Sequence, residues 1–164
     1  VSSGESGGGN LTLATALKAH QEGASNYVDG VYAQCPYISN MNNKKDEKLA
    51  SLIENDSYFL DVESMDVMAS LYDGANSKNP LAWPYHAEIS SLTGLPPHII
   101  SVNELDPLRD EGIAYYEMLK QANVSVDLKV IKGTVHASEN IFPRQIPIIF
   151  NSVMESIKEF SYKL

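Results

Sequence analysis

The hydrophobic pattern of the chain predicts short strands that alternate with helices. Apolar runs predict three strands, at residues 28–37, 98–105 and 124–131. Apolar residues at helical spacing predict helices over residues 7–22, 110–122 and 147–162, and shorter helical pieces between 49 and 72, one of them capped by Asp61. Residues 41–48 are polar and predict a surface loop, and residues 74–97 are punctuated by proline and predict irregular structure. The alternation indicates an α/β fold with a mostly parallel sheet flanked by helices.

Composition and charge restrict the class of partner. The 164 residues fit one domain, and the net charge of −9 disfavours nucleic acid and anionic membranes as partners. No apolar run approaches the roughly 18 residues that span a bilayer. The single cysteine, Cys35, excludes an internal disulfide and favours a cytoplasmic location. The oligomeric state is left open, including a homo-oligomer.

The segment Gly4-Glu5-Ser6-Gly7-Gly8 matches the pattern G-x-S-x-G. In this pattern a nucleophilic serine sits on a sharp turn between a strand and a helix, and the flanking glycines avoid clashes of Cβ atoms. Ser6 is therefore the candidate nucleophile, and the backbone N–H of Gly7 is the candidate oxyanion donor. The plain alternative is a turn that is rich in glycine and serine.

A serine nucleophile needs a base, and the base needs an acid that orients it. Asp106 follows the strand at 98–105, and His136 follows the strand at 124–131, so both belong to the carboxyl edge of a parallel sheet. The chain order Ser6, Asp106, His136 is the order of this fold. Weaker candidates for the acid are Glu104, Asp110 and Glu111, and the remaining histidines, expected to be structural, are His20, His86 and His98.

Other chemistry is weakly represented in the sequence. No cluster of cysteine and histidine has the spacing of a metal site, and the glycines that follow Ser6 lack the lysine of a phosphate loop, so we expect neither metal nor cofactor. Candidates for the lining of a substrate pocket are Glu5, Tyr37, Trp83 and Tyr85. Core packing explains the three aromatic residues equally well.

Four motifs together resemble the hormone-sensitive-lipase branch of the α/β-hydrolase esterases. They are the elbow at residues 4–11, Gly-Leu-Pro-Pro at 94–97, Asp-Pro-Leu-Arg-Asp-Glu-Gly at 106–112 and Gly-Thr-Val-His at 133–136. The resemblance implies a serine carboxylesterase that needs no cofactor and acts on a small-molecule ester. It also implies that Ser6 is the nucleophile, Asp106 the acid and His136 the base.

The sequence departs from that family in two places. The His-Gly-Gly-Gly type oxyanion segment, which lies upstream of the elbow in the family, does not occur here, and Ala137 stands where glycine is expected. The resemblance therefore implies that residues 1–164 are the C-terminal part of a single α/β-hydrolase domain, with the N-terminal strands missing. We expect the strand before Ser6 to survive only as Val1 and Ser2, so that residues 28–37 form an exposed apolar edge.

These departures lead us to expect that the chain alone is unstable and nearly inactive, and that it needs an N-terminal half to complete the domain. Three alternatives remain open at this point. The first is a non-catalytic ligand receptor, although related receptors have lost the histidine. The second is an amidase, thioesterase or lactonase on the same scaffold, and the third is an inert or partner-binding fragment.

Overall fold

The computed structural model describes residues 1–41, 47–74 and 76–164. Within them, a parallel sheet has the strand order β1-β2-β3-β4. The strands are β1 (Ser2–Glu5), β2 (Val31–Gln34), β3 (His98–Asn103) and β4 (Val126–Ile131). The parallel sheet predicted from the alternation of elements is confirmed. Most of the polar loop predicted at 41–48 lies outside the described residues.

Helices connect and cover the strands. They are α1 (Gly7–Gln21), α2 (Ser51–Glu54), α3 (Val62–Tyr72), α4 (Ile89–Leu92), α5 (Arg109–Gln121), α6 (Ser138–Ile141) and α7 (Pro147–Lys163), with 3-10 turns at Ser25–Tyr27, Glu47–Leu49 and Pro84–His86. The predicted cap of α3 is confirmed, because the Asp61 side chain accepts a hydrogen bond from Ser64 N at 2.7 Å. Among the described residues, none of the helices combines the length and the apolar character needed to cross a membrane.

The first strand corrects one prediction from the sequence. β1 extends from Ser2 to Glu5 and pairs with β2 along its whole length, in the register Ser2 with Val31 to Glu5 with Gln34. All four residues of β2 are buried, so the expectation of an exposed apolar edge at residues 28–37 was wrong. The segment Ser-Ser-Gly-Glu has no hydrophobic pattern, but parallel pairing uses backbone groups that any sequence supplies.

Apolar side chains cover both faces of the sheet. Strand side chains alternate between the faces, and one face packs against α1 and α5 through Val31, Ala33, Ile100, Val102, Leu13, Leu17, Tyr115 and Leu119. On the other face, Tyr32 and Ile99 contact Phe160 of α7, and the Tyr32 and Phe160 rings meet edge to face at 6.2 Å. Each fully buried leucine contributes about 1.5–3 kcal/mol. With both faces covered, the strand ends are where polar side chains can gather.

Candidate active site

Ser6 occupies a strained turn between β1 and α1. Its φ of 55° and ψ of −119° lie where residues other than glycine are rarely found. Ser6 N donates to Gln34 O at 2.9 Å, and Ser6 O accepts from Asn10 N at 3.0 Å, so bonds to β2 and to the helix hold the turn. Strain of this kind, held by surrounding structure, is typical of a functional position.

The glycines around Ser6 differ in whether the surrounding atoms leave room for a side chain. A Cβ on Gly4 would run into the carbonyl oxygen of Gly8, and a Cβ on Gly9 would lie 3.0 Å from Gln34 O. A Cβ on Gly7 or Gly8 would meet nothing within 4 Å, so the expected clash applies to Gly4 and Gly9 and is wrong for the two glycines between them. Because Asn10 N makes the bond to Ser6 O, the N–H of Gly7 has no partner within its own helix.

Asp106 and His136 form a buried hydrogen-bonded pair. Asp106 is 0% exposed, His136 is 4% exposed, and Nδ1 of the imidazole lies 2.7 Å from Oδ2 of the carboxylate. The other carboxylate oxygen, Oδ1, accepts from Leu108 N at 2.9 Å in the turn that follows β3. The carboxylate is thus fixed by its own turn, and Nδ1 of the ring is committed to it. This leaves Nε2 as the ring nitrogen that can exchange a proton.

The competing acids have other partners. Glu104 bonds Lys132 at 2.9 Å, which lowers the pKa of that carboxyl, and Asp110 bonds Arg109 at 2.8 Å. Glu111 is buried, and its Oε1 accepts from two backbone N–H groups in the loop after β2. Position in the chain and hydrogen bonding therefore favour the same acid, Asp106.

A buried polar network supports the loop that carries His136. Asn103, the last residue of β3, donates from Nδ2 to Thr134 Oγ1 and to Glu139 Oε2, both at 2.8 Å, and Ala137 N donates to Asn103 Oδ1 at 3.3 Å. Ala137 has a φ of 52° and a ψ of 22°, the left-handed conformation that glycine adopts most easily. Asn103 and Glu139 were not predicted from the sequence, although a polar residue at the end of an apolar strand was a usable signal for Asn103.

Cys35 was also missed as a site residue. It follows β2 directly, as Ser6, Asp106 and His136 follow β1, β3 and β4. Its Sγ, a carboxylate oxygen of Asp106 and a ring nitrogen of His136 lie within 4.8 Å of one another. Burial raises the pKa of the Cys35 thiol, and the nearby charges of Asp106, Glu139 and Glu5 raise it further. The available signal was its place at the carboxyl end of a strand in a parallel sheet.

The predicted pocket residues separate into two groups. A cavity of about 300 Å³ is lined by Gly7, Asn10, Leu11, Tyr37, Met68, Tyr72 and Trp83. The Trp83 ring meets Tyr37 at 5.5 Å and Tyr72 at 5.3 Å, both edge to face. Tyr85 lines a different depression, beside α5, and Glu5 accepts a hydrogen bond from Asn140 at 2.6 Å. The structure therefore brings Tyr37 and Trp83 to the cavity at the Gly7 end of α1, whereas Tyr85 and Glu5 do not line this cavity.

The remaining histidines have local partners. A ring nitrogen of His20 lies 3.0 Å from Ser25 Oγ, and one of His86 lies 2.7 Å from Asn40 Oδ1. Buried His98 donates from Nδ1 to the Pro96 carbonyl at 2.6 Å, and burial lowers the pKa of its imidazole to about 4. These contacts are consistent with the structural roles expected for all three.

The chain is similar to known esterases along most of its length. The profile of the α/β hydrolase fold family matches residues 1–140. Esterase LipI of Mycobacterium tuberculosis is 34% identical over 135 residues, which cover 81% of this chain and 40% of that protein. The solved structure of brefeldin A esterase, a bacterial homologue of human hormone-sensitive lipase, matches with a TM-score of 0.92 at 44% identity, over 96% of this chain and 45% of that chain.

One relative has a different function in its name. The gibberellin receptor GID1A of Arabidopsis thaliana is 32% identical over 162 residues, which cover 96% of this chain and 44% of the receptor. The chain thus spans about half the length of its relatives, or somewhat less. The family match, together with the likeness to brefeldin A esterase, confirms the resemblance that the motifs indicated. The chain belongs to the α/β hydrolase fold family, in the branch of esterases related to hormone-sensitive lipase.

Proposed function

We propose that the chain carries the catalytic residues of a serine carboxylesterase, with Ser6 as nucleophile, His136 as base and Asp106 as the acid that orients it. The observation that carries this proposal is the buried bond of 2.7 Å between His136 Nδ1 and Asp106 Oδ2, at the sheet edge where Ser6 follows β1. A buried carboxylate that faces one ring nitrogen directs the other nitrogen toward a nucleophile.

The reaction is an acyl transfer in two steps. Ser6 Oγ attacks the ester carbonyl carbon while His136 Nε2 takes the hydroxyl proton, and Gly7 N–H donates to the oxyanion. The intermediate collapses, and His136 gives the proton to the departing alcohol. Water then attacks the acyl-serine with His136 again as base, which releases the carboxylic acid and restores Ser6. Asp106 keeps the ring tautomer and stabilises the imidazolium. No step calls for a cofactor or a metal.

The cavity beside Gly7 supports the proposal that the substrates are small esters with one apolar substituent. Tyr37, Tyr72 and Trp83 line a volume of about 300 Å³ together with Leu11 and Met68. An aryl or short alkyl group in this space would lose contact with water at little cost, because the cavity surrounds it with apolar atoms. Tyr85 and Glu5 stay predictions as pocket residues, as does the cytoplasmic location.

We further propose that an N-terminal half completes the domain and supplies the remaining oxyanion donors. The chain spans about half of its relatives, and β1 pairs with β2 on one side. Each oxyanion donor contributes about 10²–10³ in kcat. We therefore expect the chain alone to be a slow esterase that the complementary half accelerates.

A ligand-binding role without catalysis is the second candidate, because the gibberellin receptor matches 96% of the chain. His136 and its bond to Asp106 argue for the esterase, since a receptor needs neither. An amidase, a thioesterase and a lactonase use the same residues, and a panel of amide, thioester and lactone substrates separates them from an esterase.

The test measures turnover of a short-chain p-nitrophenyl ester and labelling by a fluorophosphonate, which reacts with an activated serine. The wild-type chain is compared with Ser6→Ala and with a matched control, Ser3→Ala, whose exposed serine lies on the same strand. We expect labelling and slow turnover in the wild type and in Ser3→Ala, and neither in Ser6→Ala. Circular dichroism of each chain checks that it is folded.

Two results would contradict the proposal. Turnover that survives in Ser6→Ala would assign the chemistry to another residue. A folded wild type that is neither labelled nor active, even with the complementary half added, would favour the ligand-binding role. An unfolded chain that becomes active when the half is added would support the fragment proposal.

A further inference from the structure

Cys35 is a chemically reactive side chain that the proposed hydrolysis does not use. It is the single cysteine of the sequence and is 1% exposed. Its backbone is held at a φ of 32° by the bond from Cys35 N to Ser101 O at 2.7 Å. A left-handed backbone at a residue other than glycine carries a cost, so the surrounding structure fixes where the thiol points.

The thiol is one of three side chains that meet here, and each side chain belongs to a different class of metal ligand. Sγ of Cys35, a carboxylate oxygen of Asp106 and a ring nitrogen of His136 lie within 4.8 Å of one another. A tetrahedral zinc ion with bonds of about 2.0–2.3 Å holds its ligand atoms roughly 3.3–3.6 Å apart. To reach that size, the Asp106–His136 pair at 2.7 Å has to open and the Cys35 Sγ atom, within 4.8 Å of both, has to approach, each by about 1 Å. Three protein ligands with an open fourth position are typical of zinc sites that also bind water.

We infer that Cys35, Asp106 and His136 form a binding site for a thiophilic divalent cation of the zinc type. The ligands come from three strand ends that are far apart in sequence, so no local spacing of cysteine and histidine announces the site. The nearby carboxylates of Glu5 and Glu139 also act on the thiol, so the negative charge around the cluster favours a cation. All three ligand residues are buried, with exposures of 1% for Cys35, 0% for Asp106 and 4% for His136.

Cation binding releases one proton and blocks the base. The Cys35 thiol loses its proton to solvent as the metal–sulfur bond forms. If Nδ1 of His136 is the ligand, the ring proton moves to Nε2, and if Nε2 is the ligand, its lone pair is taken by the metal. Either way, the imidazole can no longer accept the proton of Ser6. Binding is independent of hydrolysis, whereas the inhibition rests on the proposed esterase function.

The test uses Cd²⁺ as a spectroscopic probe and Zn²⁺ in competition with a chelating dye. A Cd²⁺–thiolate bond absorbs in the ultraviolet, and with a single cysteine in the chain this band reports Cys35 alone. We expect one equivalent of Cd²⁺ to produce the band in the folded chain and an excess of Zn²⁺ to reduce it by competition. Esterase activity is measured separately, so that loss of binding and lack of activity are distinguished.

Three variants identify the ligands. Cys35→Ser should lose the Cd²⁺ band and bind Zn²⁺ about tenfold more weakly or worse, and His136→Gln should weaken Zn²⁺ by a similar factor. The control is His20→Gln on α1, whose ring bonds Ser25 and which is not one of the three ligands, and its Zn²⁺ affinity should match the wild type.

Two outcomes would overturn the inference. One is a folded wild type that gives no Cd²⁺ band at a large excess of the cation. The other is a Zn²⁺ affinity that Cys35→Ser and His136→Gln leave unchanged, which would assign the binding to surface carboxylates. If Cys35→Ser does not fold, the wild-type band and the His136→Gln affinity still decide between these results.

Discussion

His136 and His98 are both buried, but they lie at opposite ends of the sheet and have different partners. His136 follows β4 at the carboxyl end and faces Asp106 at 2.7 Å. His98 begins β3 at the amino end, donates to the Pro96 carbonyl, and leaves its buried Nε2 without a partner. Burial alone disfavours an imidazolium, whereas a buried carboxylate stabilises one. The two buried histidines therefore differ in their partners: His136 faces a carboxylate, whereas His98 contacts only a backbone carbonyl.

The residues with positive φ also differ between the carboxyl end and the amino end of the sheet. In the loops that follow β1, β2 and β4, positive φ occurs at Ser6 (55°), Cys35 (32°), Gly133 (67°) and Ala137 (52°). In the connections that lead back to the amino end, the positive-φ residues include Gly23, Gly94 and Asn123, which adopt this region readily. Three of these four positions at the carboxyl end therefore carry side chains in a conformation that glycine adopts more easily.

The largest effect on stability is expected at Glu111, whose buried carboxylate binds the loop after β2. Glu111 Oε1 accepts from Ile38 N at 2.6 Å and from Ser39 N at 3.2 Å. Glu111→Ala leaves both buried donors without a partner, so we expect a loss of about 4 kcal/mol in the free energy of unfolding, measured in urea. The control is Glu117→Ala on the same helix, an exposed residue whose ion pair with Lys120 is screened by solvent and contributes little.

The variant Glu111→Gln tests the charge apart from the hydrogen bonds. It removes the ionisable group but keeps a side-chain oxygen that accepts from the two N–H groups. Burial raises the pKa of Glu111 well above its usual range, so the folded chain binds this proton more tightly than the unfolded chain. Stability contributed by the group is therefore lost as the pH rises above the ordinary pKa of glutamate. We expect the wild type to show this decline and Glu111→Gln to lack it. An equal decline in both would contradict the assignment.

A pH titration of stability tests the amino end. The pKa of His98 falls from 6.5 to about 4 on folding, so the unfolded chain binds more protons between these values. The stabilising contribution is complete above pH 6.5 and is lost as the pH falls through 4, an effect of about 3 kcal/mol. His98→Asn keeps a donor for the Pro96 carbonyl and removes the titration. We expect a smaller loss between pH 7 and pH 4 in this variant than in the wild type.

The control for that titration is His20→Asn, which should lose as much stability as the wild type over the same range. His20 is half-buried and bonds Ser25, so its replacement removes a histidine without touching the sheet. If His98→Asn and the wild type decline equally, protonation of other groups drives the acid loss, and His98 does not differ from an ordinary surface histidine.

Sequence alone predicted the elements whose patterns are local. The helices at α1, α5 and α7 and the strands β3 and β4 follow from periodicity. The meeting of Asp106 and His136 follows from parallel strands whose carboxyl ends lie at the same end of the sheet. β1 was underestimated, because its four residues carry no hydrophobic signal and owe their conformation to pairing with β2.

The parts that could not be predicted depend on register between strands. Cys35 meets Asp106 because β2 and β3 are neighbours in a particular alignment, Ala33 beside Ile100, and no spacing in the sequence encodes that alignment. Asn103 and Glu139 are 36 positions apart and meet only because β4 returns beside β3. Side chains that support a site from a neighbouring strand are therefore the ones that a single sequence conceals.

The smallest effect is expected at Ala137, and it tests whether the carboxyl end stores strain. A left-handed alanine costs about 1–2 kcal/mol, whereas glycine there costs about 0.5–1 kcal/mol in chain entropy and removes a buried methyl group of about 0.8 kcal/mol. These contributions nearly cancel, so Ala137→Gly should stay within about 0.5 kcal/mol of the wild type. Ala16→Gly, at a buried helical position in α1, has no strain to relieve and should lose about 2 kcal/mol. Equal losses in the two variants would mean that Ala137 is relaxed, and the contrast between the ends of the sheet would then rest on Ser6 and Cys35 alone.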